Sequence, residues 1–403
     1  MSSALSTAST APSRGRATSL REAAAATPLL LLGRRADPDG ERGTICPGDV
    51  PAADDPGLIA RARAAREALG DRVYVLGHHY QRDAVIAFAD TRGDSYKLAV
   101  DAAANGAETI VFCGVHFMAE TADILTPDTT AVVLPDLAAG CSMADMAEIS
   151  QVEAAWADLA EAGCDQVVPL TYMNSTAAIK AFTGRHGGAV CTSSNAERAM
   201  RWAFERGSQV LFLPDQHLGR NTALLDLGLA LEDCVVYDPQ RAGGGVSHEA
   251  LRAAKVILWK GHCSVHGTFT RSHVDLARER IPGVLILVHP ECRHEVVTEA
   301  DLVGSTEFII RTVREAPPGS RWAIGTELNL VGRLAQEHPE QTVTFLNETV
   351  CFCATMNRID LPHLVWALEE LVADRTPNRI TVDPDTAHHA RVALDRMLVL
   401  PGA

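Results

Sequence analysis

The sequence has few lysines, no long apolar run and no excess of positive charge. Only four of its 36 Lys and Arg residues are lysines, so the chain offers few candidates for Schiff-base chemistry. The formal net charge of −15 argues against a nucleic acid or an anionic membrane as a partner, because both attract basic surfaces. The apolar stretch at 27–33 is too short to span a bilayer, and no basic segment leads into a cleavable apolar core. We therefore expect a cytoplasmic protein.

Paired CxxC spacing, which is usual in zinc sites, is also absent, although the chain contains ten cysteines. In a reducing cytosol, metal binding or catalysis is a better use for thiols than disulfides. Cys141, Cys263 and Cys351 each follow a short apolar run, and they are widely separated along the chain. Three isolated thiols fit an iron–sulfur cluster in which one iron has no protein thiolate. The CFC segment at 351–353 leaves open which of its two thiols points inward.

Strand-like and helix-like segments alternate along the chain, which predicts α/β architecture with parallel sheets and crossover helices. The predicted strands are VYVLGHHY, TIVFCGVHF, AVVLPDLAAGC, VVPLTYMNS, AVCTSSN, VLFLPDQHLG, VILWKGHC, VLILVHPEC, FIIRT, RWAIGTELN and VTFLNETVC. They fall into three groups, each of which opens with a polar strand tip and closes on a cysteine. A threefold repeat of one α/β unit explains this pattern.

These three groups also predict the domain boundaries. They are a disordered extension at 1–50, a first α/β domain at 55–141 plus 352–403, a second at 142–262 and a third at 263–351.

Polar residues stand directly after many of the apolar runs, where ligands bind in open α/β sheets. They include His78, Tyr80, Ser95, Tyr172, Asn174, Ser193, His266, His289, Glu291 and Thr306. Helix N-capping explains Ser, Thr and Asn individually, but imidazole and phenol are poor caps. Together these residues predict a pocket that holds a small, multiply anionic molecule and exchanges protons with it.

The motifs GHHYQ, GDSYKLA, FCGVHFMAETA, GCSMAD, TYMNST, CTSSNA, PDQHLGRN, WKGHCSVH, LVHPEC, GSTEFI and CATMN, in this order, resemble the quinolinate synthase family. The match runs from about residue 72 to 358. An insertion around 228–250 lies outside it. The resemblance implies three αβα domains around a pseudo-threefold axis, with the active site at the centre. It also implies condensation of iminoaspartate with dihydroxyacetone phosphate to quinolinate, phosphate and water in NAD biosynthesis.

The resemblance further implies a [4Fe–4S] cluster held by one cysteine of each domain. Cys141 and Cys263 match the first two family ligands, and spacing from the TMN segment selects Cys351 over Cys353. The polar strand-tip residues match the family's substrate site. Among them His78, Tyr80, Tyr172, His266, His289 and Glu291 are the expected proton-transfer groups, with Glu291 as the principal base. Family partners would be L-aspartate oxidase, as a source of iminoaspartate, and the iron–sulfur assembly machinery.

Two other functions remain compatible with the residues alone. A lysine-dependent aldolase would use Lys180 or Lys260 to form a Schiff base. An iron–sulfur sensor would need a partner surface, and the acidic charge makes DNA a poor partner. The many polar strand tips favour catalysis over sensing.

Overall fold

A computed structural model of the chain describes residues 50–347 and 352–400. Within these ranges the chain forms three β-sheets flanked by helices, which confirms the predicted α/β class. The extension predicted at 1–50 lies outside the described residues apart from Val50.

The regular elements are numbered in chain order. The strands are β1 (Val73–His78), β2 (Thr91–Gly93), β3 (Thr109–Cys113), β4 (Ala131–Val133), β5 (Val167–Tyr172), β6 (Ala189–Cys191), β7 (Gln209–Leu213), β8 (Cys234–Tyr237), β9 (Val256–Trp259), β10 (Leu285–Val288), β11 (Leu302–Val303), β12 (Arg321–Gly325), β13 (Thr342–Phe345) and β14 (Arg379–Ile380). The α-helices are α1 (Leu58–Leu69), α2 (Asp83–Ile86), α3 (Ser95–Ala104), α4 (His116–Leu125), α5 (Ser142–Asp145), α6 (Ile149–Glu161), α7 (Ala177–Arg185), α8 (Ala196–Phe204), α9 (Gln216–Asn221), α10 (His248–Ala253), α11 (Arg271–Arg280), α12 (His294–Val297), α13 (Thr306–Glu315), α14 (Leu328–Glu337), α15 (Leu361–Val372) and α16 (Pro384–Leu398). Short 3₁₀ segments include His266–Thr268 and Met356–Arg358, and a π-helical turn spans Thr222–Asp226.

The strand order is β14-β4-β3-β1-β2 in the first sheet, β6-β5-β7-β9-β8 in the second and β11-β10-β12-β13 in the third. All pairs are parallel except β4 with β14, which is antiparallel at an edge. The central strands are short apolar runs, and β3 and β7 are buried along their whole length. Such runs are expected where helices cover both faces of a parallel sheet. Because the strands are parallel, their carboxyl ends lie along one edge of each sheet.

One predicted strand is wrong. FIIRT lies inside α13, where Ser305 accepts a hydrogen bond from the Phe308 N–H and caps the helix. Ile309 and Val313 are its fully buried positions, and their spacing of four residues is helical rather than strand-like. The short apolar run alone could not distinguish the two structures.

The insertion outside the motif match contributes a strand to the second sheet. β8 pairs in parallel with β9, in the register Cys234 to Val256 through Tyr237 to Trp259. The Tyr237 ring stacks on the fully buried Trp259, with ring centroids 5.8 Å apart. The segment therefore completes the edge of this sheet.

The C-terminal helix α16 packs closely along α7 of the second sheet's layer. Gly184 of α7 makes this approach possible, because a Cβ there would overlap the carbonyl oxygen of His389 in α16. Arg396 of α16 donates to the carbonyl oxygens of Gly184, at 3.4 Å, and of Gly188, at 2.5 Å. The chain thus runs from β14 of the first sheet to a helix that packs on the second.

We expect Gly184→Ala to lower the free energy of unfolding by about 1–3 kcal/mol, because the added methyl forces the two helices apart. The matched control is Gly332→Ala in α14, where no heavy atom lies within 4 Å of the added Cβ. Alanine is the better helix former, so the control should be neutral or stabilising by up to about 1 kcal/mol. Urea unfolding followed by circular dichroism measures both changes. Equal effects in the two variants would contradict close packing at Gly184.

Candidate functional site

A central cavity of about 70 Å³ lies where residues from all three sheets converge. It is lined by the predicted residues His78, Tyr80, Ser95, Cys141, Tyr172, Asn174, Ser193, Cys263, His266, His289, Glu291 and Thr306. Cys351, the remaining predicted site residue, lies outside the described residues. The structure therefore gathers the polar strand tips into one enclosed space.

The first sheet contributes residues at the end of β1 and the start of α3. His78 is the last residue of β1, and Tyr80 lies in the turn that follows it. Asp94 caps α3 by accepting from the Lys97 N–H at 2.9 Å, which places Ser95 in the first turn of the helix. An N-terminal helical turn with a serine at the cavity is a suitable site for an anionic group.

The second sheet contributes Tyr172, Asn174 and Ser193 from the ends of β5 and β6. The buried Asn174 Oδ1 has no hydrogen-bond partner among the described residues. Buried polar atoms are normally paired, so this oxygen is available to accept a hydrogen bond from a ligand.

The third sheet contributes His289 and Glu291 after β10, and Thr306 in the first turn of α13. The Tyr80 hydroxyl reaches across from the first sheet and lies 2.9 Å from the hydroxyls of both Thr306 and Thr326. Because these hydrogen bonds join the first sheet to the third, they close one side of the cavity.

Glu291 and His266 form a buried ion pair, with 2.6 Å between Glu291 Oε2 and His266 Nδ1. The second nitrogen of His266, Nε2, lies 3.2 Å from the Thr326 hydroxyl. Burial raises the pKa of Glu291, but His266 and His289 outweigh it and lower this pKa to about 2. A buried charge is tolerated only when it is paired, and Glu291 is also hydrogen-bonded to the Tyr172 hydroxyl.

His78 and His289 are both neutral, because burial lowers the pKa of each to about 3. The Tyr80 backbone N–H donates to His78 Nδ1 at 3.1 Å, and the Glu291 backbone N–H donates to His289 Nδ1 at 3.3 Å. These contacts assign the ring proton to Nε2 in both residues. His289 Nε2 then donates to the Ser193 hydroxyl at 3.2 Å. Each ring can therefore offer a proton into the cavity.

Three thiols line the cavity: Cys141, Cys263 and Cys353. Burial, with a smaller contribution from the nearby Cys353, raises the pKa of Cys141 to about 12. Burial, followed by Glu291, Cys141 and Cys353, also raises the pKa of Cys263. Thiols gathered in this way need a cation to hold them as thiolates. The donor set therefore fits an iron–sulfur cluster.

A single divalent ion is an alternative use of the same region. One donor atom each from Cys263, His266 and Glu291 lie within 4.8 Å of one another. These residue types suit zinc. However, His266 and Glu291 are already paired with each other, and an ion held by this set would leave Cys141 and Cys353 without a role.

Two residues of the site, Thr326 and Glu327, were not predicted from the sequence. Thr326 and Glu327 follow β12 in the segment GTELN, which ends a predicted strand with the same polar pattern as the other strand tips. Glu327 is fully buried in the cavity wall, and burial raises its pKa to about 7. Cys353 lines the cavity, whereas motif spacing favours Cys351, and the prediction for Cys351 stays a prediction.

Neither lysine of the aldolase alternative lines the cavity, although Lys180 Nζ lies 5.3 Å from the ring centroid of Phe117, which does. Lys180 is fully buried in α7 and donates to the Ser175 carbonyl oxygen at 2.5 Å. Lys260 is exposed and paired with Asp238 at 2.6 Å. Neither reaches a site where a carbonyl substrate would meet the polar strand tips.

Across residues 50–347 and 352–400, no helix has the length and apolar character needed to cross a membrane.

The ion pair of Glu291 predicts a pH dependence of stability. Its folded pKa of about 2 lies below the ordinary value of 4.5, so its stabilisation is complete above pH 4.5 and is lost as pH falls towards 2. We expect a loss on the order of 1–3 kcal/mol across this range, absent from Glu291→Gln. Urea unfolding of metal-free protein at pH 5, 4 and 3 measures it, with the exposed Glu315→Gln as control. The same pH slope in Glu291→Gln and wild type would argue against the pair.

Comparisons with known proteins found one family and several similar relatives. A sequence model of the family described as quinolinate synthetase A protein matches residues 60–399. A quinolinate synthase of a Nocardioides species is 67% identical over 383 residues, which cover 93% of this chain and 97% of the relative. That of Streptomyces coelicolor is 66% identical over 377 residues, covering 93% and 96%. That of Geobacillus kaustophilus is 59% identical over 350 residues, covering 85% and 93%.

Proposed function

The chain belongs to the quinolinate synthase family, whose members act in NAD biosynthesis, and on that basis we propose its reaction. It condenses iminoaspartate with dihydroxyacetone phosphate and releases quinolinate, phosphate and water. The observation that carries this proposal is the single cavity in which three thiols, a buried Glu–His pair and several polar strand-tip groups meet. Iminoaspartate would come from L-aspartate oxidase, and the enzyme would work in the cytoplasm with cofactor supplied by the iron–sulfur assembly machinery.

Four residues would bind the anionic groups of the substrates. Ser95 and Thr306 each occupy the first turn of a ten-residue helix that begins at the cavity, where backbone N–H groups and the helix dipole attract anions. Ser193 offers a hydroxyl that already accepts a hydrogen bond from His289, and Asn174, which lines the cavity, would donate from its amide nitrogen. Carboxylates and phosphate accept hydrogen bonds from all of these groups.

Proton transfer would be divided between one base and several donors. Glu291 is ionised above about pH 2 and is therefore available as a base at neutral pH. His78 and His289 each carry a proton on Nε2 at neutral pH, and burial keeps Tyr80 and Tyr172 protonated by raising their pKa values. His266 orients Glu291 through the hydrogen bond at 2.6 Å.

Cys141, Cys263 and one thiol of the CFC segment would hold a [4Fe–4S] cluster. The third ligand in this proposal is Cys351, which spacing from the TMN segment selects; Cys353, which lines the cavity with the first two thiols, is the alternative. When bound, the cluster would supply a Lewis-acidic iron without a protein thiolate, which assists the loss of hydroxide from the substrates.

Anaerobic purification and reconstitution, followed by iron and sulfide analysis and a quinolinate assay, test the proposed function. About four irons and four sulfides per chain, with quinolinate formed from both substrates, would support it. Zinc without sulfide would instead favour the Cys263–His266–Glu291 site.

The cysteine assignment predicts different results for single serine substitutions. Cys141→Ser, Cys263→Ser and Cys351→Ser should each lose most of the cluster, because each removes one of three thiolates, whereas Cys353→Ser should retain most of it. Cys234→Ser is the control, since Cys234 lies in edge strand β8, outside the cavity lining. Iron content and the visible absorbance of the reconstituted protein measure the loss. Full loading of Cys351→Ser together with loss in Cys353→Ser would reverse our choice of third ligand.

Glu291→Gln should keep the cluster and lower turnover by roughly two to four orders of magnitude, the range typical of a proton-transfer group. The amide keeps the size of the side chain but cannot accept a proton. Glu315→Gln, on the exposed end of α13, should leave turnover unchanged. Turnover by Glu291→Gln within a few-fold of wild type would remove Glu291 from the mechanism.

A further inference from the structure

The turn that carries Tyr80 depends on helix α14 of the third sheet for its backbone hydrogen bonds. Three consecutive carbonyl oxygens of this turn, at residues 79, 80 and 81, accept from side chains of that helix. Arg333 donates to two of them, from Nη1 to His79 at 2.9 Å and from Nη2 to Gln81 at 2.7 Å. Asn329 Nδ2 donates to the Tyr80 carbonyl at 3.0 Å.

The third contact of Arg333 completes its hold on the turn. Its Nε donates to Asp83 Oδ1 at 2.7 Å, in the first turn of α2. The Arg333 side chain is only 9% exposed, whereas that of Asp83 is 55% exposed, so Arg333 holds the turn largely out of solvent and meets Asp83 at the surface. A guanidinium with three fixed donor directions can hold a short turn more rigidly than a flexible ammonium can.

The two sides of this turn are fixed to different sheets. The backbone N–H groups of residues 79, 80 and 81 donate to Gly93 O, His78 Nδ1 and His78 O, which belong to the first sheet. The carbonyl side is fixed to the third sheet, through Arg333 and Asn329. Loss of these donors would leave the buried Gln81 carbonyl and two partly buried carbonyls unpaired, which costs more than losing an exposed contact.

The Tyr80 side chain points to the same third-sheet layer. Its hydroxyl lies 2.9 Å from Thr306 Oγ1 and 2.9 Å from Thr326 Oγ1, at the cavity. A shift of the turn therefore moves the phenol relative to the groups that it contacts.

We propose that Arg333 is a positioning residue for Tyr80: it holds the 79–83 turn against α14 and so sets where the Tyr80 hydroxyl meets the substrate. This inference rests on the proposed function, in which Tyr80 contacts the substrate. Arg333 itself does not line the cavity.

The test is a double-mutant cycle in the iron-loaded full chain: wild type, Arg333→Gln, Tyr80→Phe and the double variant. We expect Arg333→Gln to lower kcat about ten- to a hundredfold, since a misplacement of about 1 Å can have an effect of this size. In the Tyr80→Phe background, Arg333→Gln should lower kcat by less than about threefold, because the hydroxyl that Arg333 positions is absent. Equal losses in both backgrounds, or unchanged kcat, would overturn the proposal.

Hydrogen exchange gives a readout that does not require activity. In Arg333→Gln, amides in peptides covering residues 79–86 should exchange faster, while β3 and β7 peptides stay as in wild type. Arg333→Lys should recover part of kcat and of the protection. Exchange that is unchanged at 79–86, or raised everywhere, would contradict a local positioning role.

Two further variants keep the result interpretable. Arg314→Gln removes an exposed charge from α13 and should change neither measurement. If Arg333→Gln fails to fold, Asn329→Ala removes the donor to the Tyr80 carbonyl, and its several-fold loss of kcat should likewise vanish in Tyr80→Phe. If the wild-type protein forms no quinolinate, the proposed function is wrong. If the wild type is active but the effects of Arg333→Gln and Tyr80→Phe on kcat are additive, only the positioning role of Arg333 is wrong.

Discussion

A buried carboxylate must be compensated, and in this protein the need to compensate Glu291 organises the centre of the molecule. Its partners come from separate parts of the chain: His266 follows the second sheet, Tyr172 ends β5, and His289 precedes Glu291 in the same loop. The contacts of Glu291 with His266 and Tyr172 form only when the carboxyl edges of the second and third sheets face each other. The ion pair therefore links the packing of the sheets to the electrostatics of the cavity.

The thiols raise the opposite problem, because burial keeps them protonated rather than charged. Cys141 and Cys263 both have raised pKa values, and each lies where a bound cation would stabilise a thiolate. The cavity thus combines a carboxylate that the protein keeps ionised, Glu291, with thiols that would become thiolates on binding a metal. The nearby Glu327, with a pKa raised by burial to about 7, also accepts from the Cys353 N–H at 3.4 Å. Packing at α14 is accordingly coupled to both the thiol segment and the Tyr80 turn.

The sequence predicted an element correctly where its local residue pattern is compatible with only one type of structure. β-Branched runs bounded by polar tips became buried parallel strands, and the tips lined one cavity, because parallel strands share a carboxyl edge. Prediction failed for FIIRT, since five residues cannot separate a short strand from the buried stripe of α13. The strand at Cys234–Tyr237 was also not predicted. This segment forms a strand by pairing with β9 at the edge of the second sheet.

By itself the sequence determined the α/β class, the family and the chemical types gathered at the site, because periodicity and motif order are local properties of the chain. Only the tertiary structure decided which groups meet: Thr326 between Tyr80 and His266, Arg333 on the 79–83 turn, and Cys353 in the cavity wall. The contacts of Thr326 and Arg333 join residues separated by 60 or more positions, and their partners are chosen by how three sheets pack. No spacing along the chain encodes that choice.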